Sequence, residues 1–486
     1  MRRLANTTLA ELSNSARLPS YDRAAVSTGI VHLGLGAFTR AHQLVYTDDA
    51  LTAGAPDWGV LGASLRSAET RDALGPQDGL YVLATRDAAG ERLRVVGSLT
   101  GLLVAPENPE ALIAAMAAPA IRIVSLTVTE KGYCHDPATG QLNEDHPDVR
   151  HDLMHLAAPR SAPGFIVAAL ARRRAAGVAP FTILSCDNLP ANGKTAKRVL
   201  VRFAELVDRD LGRHLADALA CPSTMVDRIV PATTDEDRAR ISAALGAEDA
   251  WPVVTEPFSQ WVIEEGFPLG RPDWGAHGAE IVTDVAPHEA MKLRLLNGAH
   301  SSIAYLGGLA GFATVAEAMT DPAIAVFVER LMFGEVIPVL TPPPGADVQA
   351  YARALIARFR NPALHHRTAQ IAMDGSQKLP QRLLGTARDR LARGLELPCV
   401  ALGIAAWMAF VARTEDLLDP MAVELRRRAE EAGPIAERLA PALLGIEAIF
   451  GHDLPADPRF AGAVTEALRA LLVEGAHPTL RKLTGG

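Results

Sequence analysis

Cysteine is scarce in this chain, with four in 486 residues, and Cys134, Cys186, Cys221 and Cys399 stand singly with no CxxC pair. That scatter excludes a disulfide framework and a tetrahedral zinc site built on Cys/His spacing, and it suits a reducing cytoplasm. Long apolar runs are missing as well. The longest, "LPCVALGIAAWMAFVA" (397–412), is short of the roughly 20 residues of a membrane span and has an early proline, so it reads as a core helix. The start, "MRRLANTTLAELSNSARLPSYDR", lacks the apolar core of a secretory signal. Basic residues are not in excess: 48 Lys and Arg against 56 Asp and Glu leave a net charge of −8. That balance argues against a general nucleic-acid binder, so an anionic small molecule needs local basic residues. No internal repeat or low-complexity tract occurs.

What is present is enough hydrophobic sequence, 49% of residues, for more than one core, since single cores stop growing at about 250–300 residues. "GIVHLGLGAFTRAH" (29–42) runs from an apolar strand through a glycine turn into a helix reaching about Leu51. "WGVLGASL" (58–65), "IRIVSLTV" (121–128) and "FTILS" (181–185) read as further strands, the last preceded by a helix-like "PGFIVAALARRRAAG" (163–177). "GLYVLATRDAAGERLRVVGSL" (79–99) reads as a hairpin around Ala88, Ala89 and Gly90. Strands alternating with helices predict an α/β domain with a mainly parallel sheet covered on both faces. Beyond about residue 286 the pattern turns to long Ala/Leu-rich helices, broken at "LTPPPGAD" (340–347) and "FRNPALHH" (359–366). The division expected is therefore 1–285 and 286–486, the second part mostly α-helical.

Gly34 and Gly36 end a strand and open a helix, the arrangement that lets a pyrophosphate approach a helix N-terminus, although Thr39 stands where a third glycine would complete the pattern. The next strand ends "SLRSAE", where Arg66 comes before Glu69, so the choice between NAD and NADP stays open. "SLTVTEKGYC" (125–134) closes with Glu130, Lys131 and Tyr133, and "LSCDN" (184–188) with Asp187 and Asn188. Residues at carboxyl ends of parallel strands face the ligand crevice. "TMVDRIVP" (224–231) embeds Asp227 and Arg228 in apolar sequence, which fits a structural salt bridge as well as catalysis. "MKLRLLNGAH" (291–300) reads as helix but carries Lys292, Asn297 and His300. At α-helical pitch Asn297 lies about 140° and His300 about 80° around the axis from Lys292, with Glu289 about 60° away. Both a polar constellation and a half-exposed amphipathic helix fit.

Together these segments resemble the polyol-specific long-chain dehydrogenase/reductase family, the mannitol dehydrogenase and fructuronate reductase group. The matching pieces are "GLGAFTRAH", "SLTVTEKGY", "LSCDN", "TMVDRIVP", "EPFSQWVIE" (256–264), "KLRLLNGAH" and "DGSQKLPQR" (374–382), in order along most of the chain. The resemblance implies a Rossmann-like N-terminal domain, a largely helical C-terminal domain, and zinc-independent hydride transfer with NAD. The cofactor residues expected are Gly34, Gly36, Ala37 and Phe38, with Arg66 and Glu69 at the adenosine end. The family's catalytic lysine falls on Lys292, its asparagines on Asn188 and Asn297, its histidine on His300, and matching carboxylates on Glu130 and Asp227.

Oxidising a secondary alcohol removes a proton as hydride leaves carbon, and an ordinary lysine, with pKa about 10.4, needs burial to serve as base at neutral pH. Two amides can donate to an oxygen as it becomes alkoxide-like, the work otherwise done by a zinc ion. His300 is expected to orient substrate hydroxyls or the lysine, and Glu130 to pass the proton to solvent. "TEKGYC" looks more like the fructuronate reductase branch than the mannitol branch, which tends to have glycine where Lys131 stands. A sugar acid brings a carboxylate, for which Lys131, Arg367 and Lys378 are the candidates. The expectation is a cytoplasmic enzyme acting on D-fructuronate and D-mannonate, with no nucleic-acid, membrane or obligate protein partner. A mannitol 2-dehydrogenase is the near rival, and an inert NAD-binding sensor is the distant one.

Overall fold

The computed structural model describes residues 1–12, 16–87, 89–136, 139–362 and 366–485. The chain divides into two compact units, Met1–Ala286 and Pro287–Gly486.

The first unit is built on a five-stranded parallel sheet. Its strands are β1 (Thr28–Leu33), β2 (Gly59–Ser64), β3 (Leu99–Val104), β4 (Ile123–Leu126) and β5 (Thr182–Ser185), in the spatial order β3-β2-β1-β4-β5. The near-continuous apolar runs of β1, β4 and β5 are buried along their length, as expected of strands covered on both faces. Helices Pro109–Ala117, Ala162–Ala175 and Asn192–Val207 supply buried side chains to this core. The first two begin with prolines in their opening turn and are capped by Asn108 and Ser161, which accept from Ala111 N and Gly164 N at 3.0 Å. The chain order reverses at β1, so the carboxyl ends of β1 and β4 flank the topological switch point where such sheets bind ligands.

Two smaller sheets complete the unit. Strands Tyr81–Asp87 and Gly90–Val96 pair antiparallel, as the hairpin reading predicts; Ala88 at its turn lies outside the described residues. Gln260–Glu264 pairs antiparallel with Thr224–Asp227 and parallel with Glu280–Val282. The helix expected from the glycine turn to Leu51 is two helices, Ala37–Ala41 and Gln43–Thr52, broken at His42 (φ −123°, ψ −92°). His42 packs its ring between Phe38 and Trp261, with centroids at 5.0 and 5.5 Å, so side-chain packing holds the break.

The second unit is helical. Its central helix, Pro398–Arg413, is the run read as a core helix, and nearly every residue in it is buried. Gly298–Leu309 and Pro458–Val473 pack against it. Among the described residues no helix is long and apolar enough to cross a membrane.

Among the described residues of this unit three segments are π-helical: Lys292–Asn297, Arg330–Val336 and Pro380–Leu384. The first packs against each of the other two. Pro380 brings no N–H and its ring crowds the carbonyl four residues back, which gives a physical reason for the ladder to slip to i→i+5 there. Gly298 is required where two of these segments meet, because a Cβ on it would lie 2.8 Å from the Arg382 carbonyl oxygen.

Candidate active site

In the first unit β1 ends in the glycine turn. Gly34 has φ +91°, and a Cβ there would sit 2.3 Å from the Thr127 carbonyl oxygen, so only glycine fits. Gly34 N donates to Ala63 O at 2.9 Å and Thr127 N to Leu33 O at 3.0 Å, tying the turn to β2 and β4. Gly36 is exposed, and a Cβ on it would meet only Gly34 O, at 3.7 Å. A turn with backbone bared at the switch point of a parallel sheet fits a dinucleotide. Ala37 and Phe38 follow as half-buried residues of the first helical turn, while Arg66 and Glu69 are both exposed beyond β2.

Next to this turn, Asp187 at the end of β5 holds the segment after β4. Its carboxylate accepts from Val128 N (3.1 Å), Thr129 N (2.9 Å) and the Tyr133 hydroxyl (2.8 Å). Burial pushes its pKa up to about 6 against the pull of those donors. Thr129 has φ +64°, a left-handed conformation unusual for a β-branched residue. The two backbone bonds to Asp187 offset that strain. The segment carries half-buried Glu130 and exposed Lys131, and Asn188 follows as an exposed residue. Asn192 Nδ2 fixes the other side by donating to Asp187 O (3.0 Å) and Thr224 O (2.9 Å).

Asp227 is buried at the end of its strand. Arg228 gives its guanidinium to two carbonyls, Ala41 O and Glu256 O, and burial lowers its pKa to about 10. It ties the helix after the glycine turn to the strand end that bears Asp227.

In the second unit Lys292 is buried and opens the π-helical segment, and Asn297 closes it. This corrects the angles expected from an α-helix. Bonds running i→i+5 set residues five apart about one turn apart, so Lys292 and Asn297 share a face instead of diverging by about 140°. The Asn297 Oδ1 is buried without a hydrogen-bond partner among the described residues. A buried amide oxygen left unmatched is costly and calls for an explanation. Oxygen and nitrogen of the amide exchange by a flip, so the same position can present a donor.

His300 begins the following turn. Its ring stacks on Phe359 (centroids 5.3 Å, interplanar angle 12°) and meets His366 edge-on at 4.6 Å. Burial holds its pKa well below the ordinary value, reinforced by the neighbouring His366 and by the positive charges of Arg382, Arg358 and Lys378. His366 is lowered to about 4 by burial and Lys378. Arg382 donates to Ser301 Oγ at 2.8 Å, beside His300, and the Lys378 ammonium donates to Ile371 O (3.2 Å) and Met373 O (2.5 Å). Arg367 pairs with Thr314 in an isolated bridge and precedes the helix Thr368–Ala372. Among the described residues no group of three His, Cys, Asp or Glu side chains is disposed to hold a metal.

Sequence reasoning passed over Asp187 as a positioning group and did not name Arg358, His366 or Arg382. Asp187 carried a signal, being the polar residue before Asn188 at a strand end. No spacing connects the other three to His300; only the packing of separate segments does.

Two family models cover the chain, the mannitol dehydrogenase Rossmann domain over residues 28–276 and the mannitol dehydrogenase C-terminal domain over 284–472. An oxidoreductase of Escherichia coli (strain K12) named YdfI is 46% identical over 97% of this chain and 98% of its own. The D-mannonate oxidoreductase of the same organism is 45% identical over 98% of this chain and 100% of its own. Among solved structures, the Pseudomonas fluorescens mannitol 2-dehydrogenase ternary complex with NAD and D-mannitol superposes with a TM-score of 0.91 at 38% identity, covering 99% of both chains. The chain belongs to the mannitol dehydrogenase family.

Proposed function

We propose that this member of the mannitol dehydrogenase family is a fructuronate reductase, that is, a D-mannonate oxidoreductase, reversibly interconverting the C5 ketone of D-fructuronate and the alcohol of D-mannonate. The observation that carries the choice of a sugar acid is the positive surrounding of His300, on which the charges of Arg358, Lys378 and Arg382 act. A substrate carboxylate gains from such a field and a neutral polyol does not. The full-length similarity to a D-mannonate oxidoreductase supports the same reading. Its setting is the cytoplasm, which suits four separate thiols.

NAD is the cofactor, and when bound it supplies or takes up the hydride. Gly34, Gly36, Ala37 and Phe38 hold it at the turn. Lys292 donates the proton that the ketone oxygen needs on reduction and takes it back on oxidation. The amides of Asn188 and Asn297 donate to that oxygen as negative charge develops on it. His300, neutral through burial, orients substrate hydroxyls by hydrogen bonding. Glu130 returns a proton from solvent to the lysine, and Asp227 is the second carboxylate of the set. Lys131 and Lys378 are the lysines assigned to the substrate carboxylate, Arg358 and Arg382 adding their field.

A second reading, mannitol 2-dehydrogenase, is favoured by the backbone likeness to the mannitol-bound enzyme. The test is the loss of reduced-nicotinamide absorbance with D-fructuronate and with D-fructose, compared as kcat/KM. A preference for fructuronate above about tenfold, roughly 1.4 kcal/mol of transition-state discrimination, is expected. An equal preference for fructose assigns the polyol reaction instead.

A further inference from the structure

Beneath the glycine turn of the first unit lies a chain of hydrogen-bonded polar side chains at the centre of the parallel sheet. His32 is fully buried in β1, the central strand, between Val31 and Leu33, which are buried to the same degree. Its Nδ1 is 2.9 Å from Ser125 Oγ and its Nε2 is 2.8 Å from Thr127 Oγ1. Thr127 Oγ1 in turn donates to the Gly34 carbonyl at 2.8 Å.

The direction of this chain follows from proton counting. A threonine hydroxyl has one proton, and here it goes to Gly34 O, so Oγ1 accepts from His32 Nε2–H. A neutral imidazole has only one N–H, so Nδ1 accepts the proton of Ser125. The order is Ser125 to His32 to Thr127 to Gly34. Burial keeps the ring neutral by lowering its pKa to about 4, and every donor in the relay is matched.

The relay ends on the one peptide of the turn that has most to fix. Gly34 N and Leu35 N both donate to Ala63 O, at 2.9 and 3.3 Å. With Thr127 holding the Gly34 oxygen, the peptide joining residues 34 and 35 is gripped at both its oxygen and its N–H. Its plane sets where the bare backbone of Gly36 lies. Thr127 also leads directly into the Asp187-held segment that bears Glu130.

We propose that His32, acting through Thr127, is a positioning residue for the dinucleotide turn, fixing the Gly34 peptide in the orientation that receives the cofactor. The role rests on the reading of that turn as the NAD site. A valine or leucine would fill the strand position without burying an imidazole, so the polar chain is retained at a cost that packing alone does not require. Chains of matched hydrogen bonds in a low-dielectric interior also rigidify what they end on.

The test is the dissociation constant of NADH for the full-length protein, followed by nicotinamide fluorescence, together with steady-state kinetics. Thr127→Val keeps the shape and removes the hydroxyl. It is expected to raise Kd and KM for NADH about tenfold with kcat within about twofold, while Thr127→Ser keeps the wild-type Kd. Ser125→Ala, which cuts only the far end, gives a smaller rise in Kd. A wild-type Kd in Thr127→Val overturns the proposal, as does a Thr127→Ser variant as weak as Thr127→Val. Gly34→Ala separates the two readings. Lost NADH binding in Gly34→Ala with intact binding in Thr127→Val removes the relay's role alone; intact binding in both removes the turn as cofactor site and the relay's role with it.

Discussion

Lys292 and Asn297 are the first and last residues of one π-helical segment, five positions apart and about one turn of that wider helix from each other. A buried lysine thus shares one element and one face with a buried amide oxygen, Asn297 Oδ1, that has no hydrogen-bond partner among the described residues. If both act on one substrate oxygen, their losses overlap. Lys292→Met is expected to lower kcat/KM by about 10³ or more, and Asn297→Ala by about 10², the scale of one donor to a developing oxyanion. The double variant should fall little below Lys292→Met alone, and NADH affinity should hold in all three. Fully multiplicative losses would separate the two residues mechanistically.

Arg358 precedes the phenyl ring on which His300 stacks, and its charge acts on that histidine. Neutralising it in Arg358→Gln should cost D-fructuronate at least about tenfold more in kcat/KM than D-fructose, because only the sugar acid carries a carboxylate. Lys131→Gly gives the parallel test in the first unit. Equal losses on both substrates would remove the argument from charge.

Buried histidines set the acid limit of stability. His32 and His366 are held near pKa 4 and His300 well below its ordinary value, all chiefly by burial. An unfolded histidine takes its proton at about 6.5. The unfolded chain therefore binds more protons as pH falls from about 6.5 towards 4, and stability drops across that window. For His32 the full loss is roughly 3 kcal/mol. Asp187, raised to about 6, works the other way, as do Asp249 and Glu335, which burial also raises, since falling pH then favours the protonated fold; against them stand four histidines, His135 being lowered by burial as well. Melting temperature should fall between pH 6.5 and 4.5, measured by circular dichroism. A melting temperature that is flat or rises on acidification would show that these rings are not held neutral.

The parallel sheet was legible because apolar runs of strand length and a glycine turn leave local marks. β4 and β5 lie within the runs quoted from the sequence, and β1 begins one residue before its own. The helical character of the second unit was equally plain in "LPCVALGIAAWMAFVA", now Pro398–Arg413. The break at His42 was hidden, since it depends on ring packing with Trp261, more than two hundred residues along the chain. The π-helical turn at Lys292 was hidden too. Its residues have ordinary helix formers' side chains, and the slipped ladder is held by packing against two other segments of the same kind. Lys378 and Arg382 lie four apart in adjoining helical segments within "DGSQKLPQR", but Arg358 comes from a separate helix, so no spacing ties the set to His300.

The "DGSQKLPQR" motif owes its glycine to tertiary contact. A Cβ on Gly375 would lie 2.3 Å from Trp407 Nε1 and 2.7 Å from the Tyr305 hydroxyl. Both rings are fully buried and cannot move aside without opening the core around Pro398–Arg413. Asp374, just before, is left-handed at φ +54°, and Ser376, just after, is held by Asp419 through its N–H (2.8 Å) and hydroxyl (2.5 Å). The start of the helix bearing Lys378 is therefore fixed on three sides. Gly375→Ala should destabilise the protein by about 1–3 kcal/mol through overpacking and lower kcat/KM by displacing Lys378. Gly308→Ala is the matched control. It lies in the helix Gly298–Leu309 with open space where a Cβ would go, so it should be neutral or stabilise by up to about 1 kcal/mol from helix propensity. Equal melting temperatures for the two variants would mean that Trp407 and Tyr305 yield to a methyl group, and that the glycine answers to something other than packing.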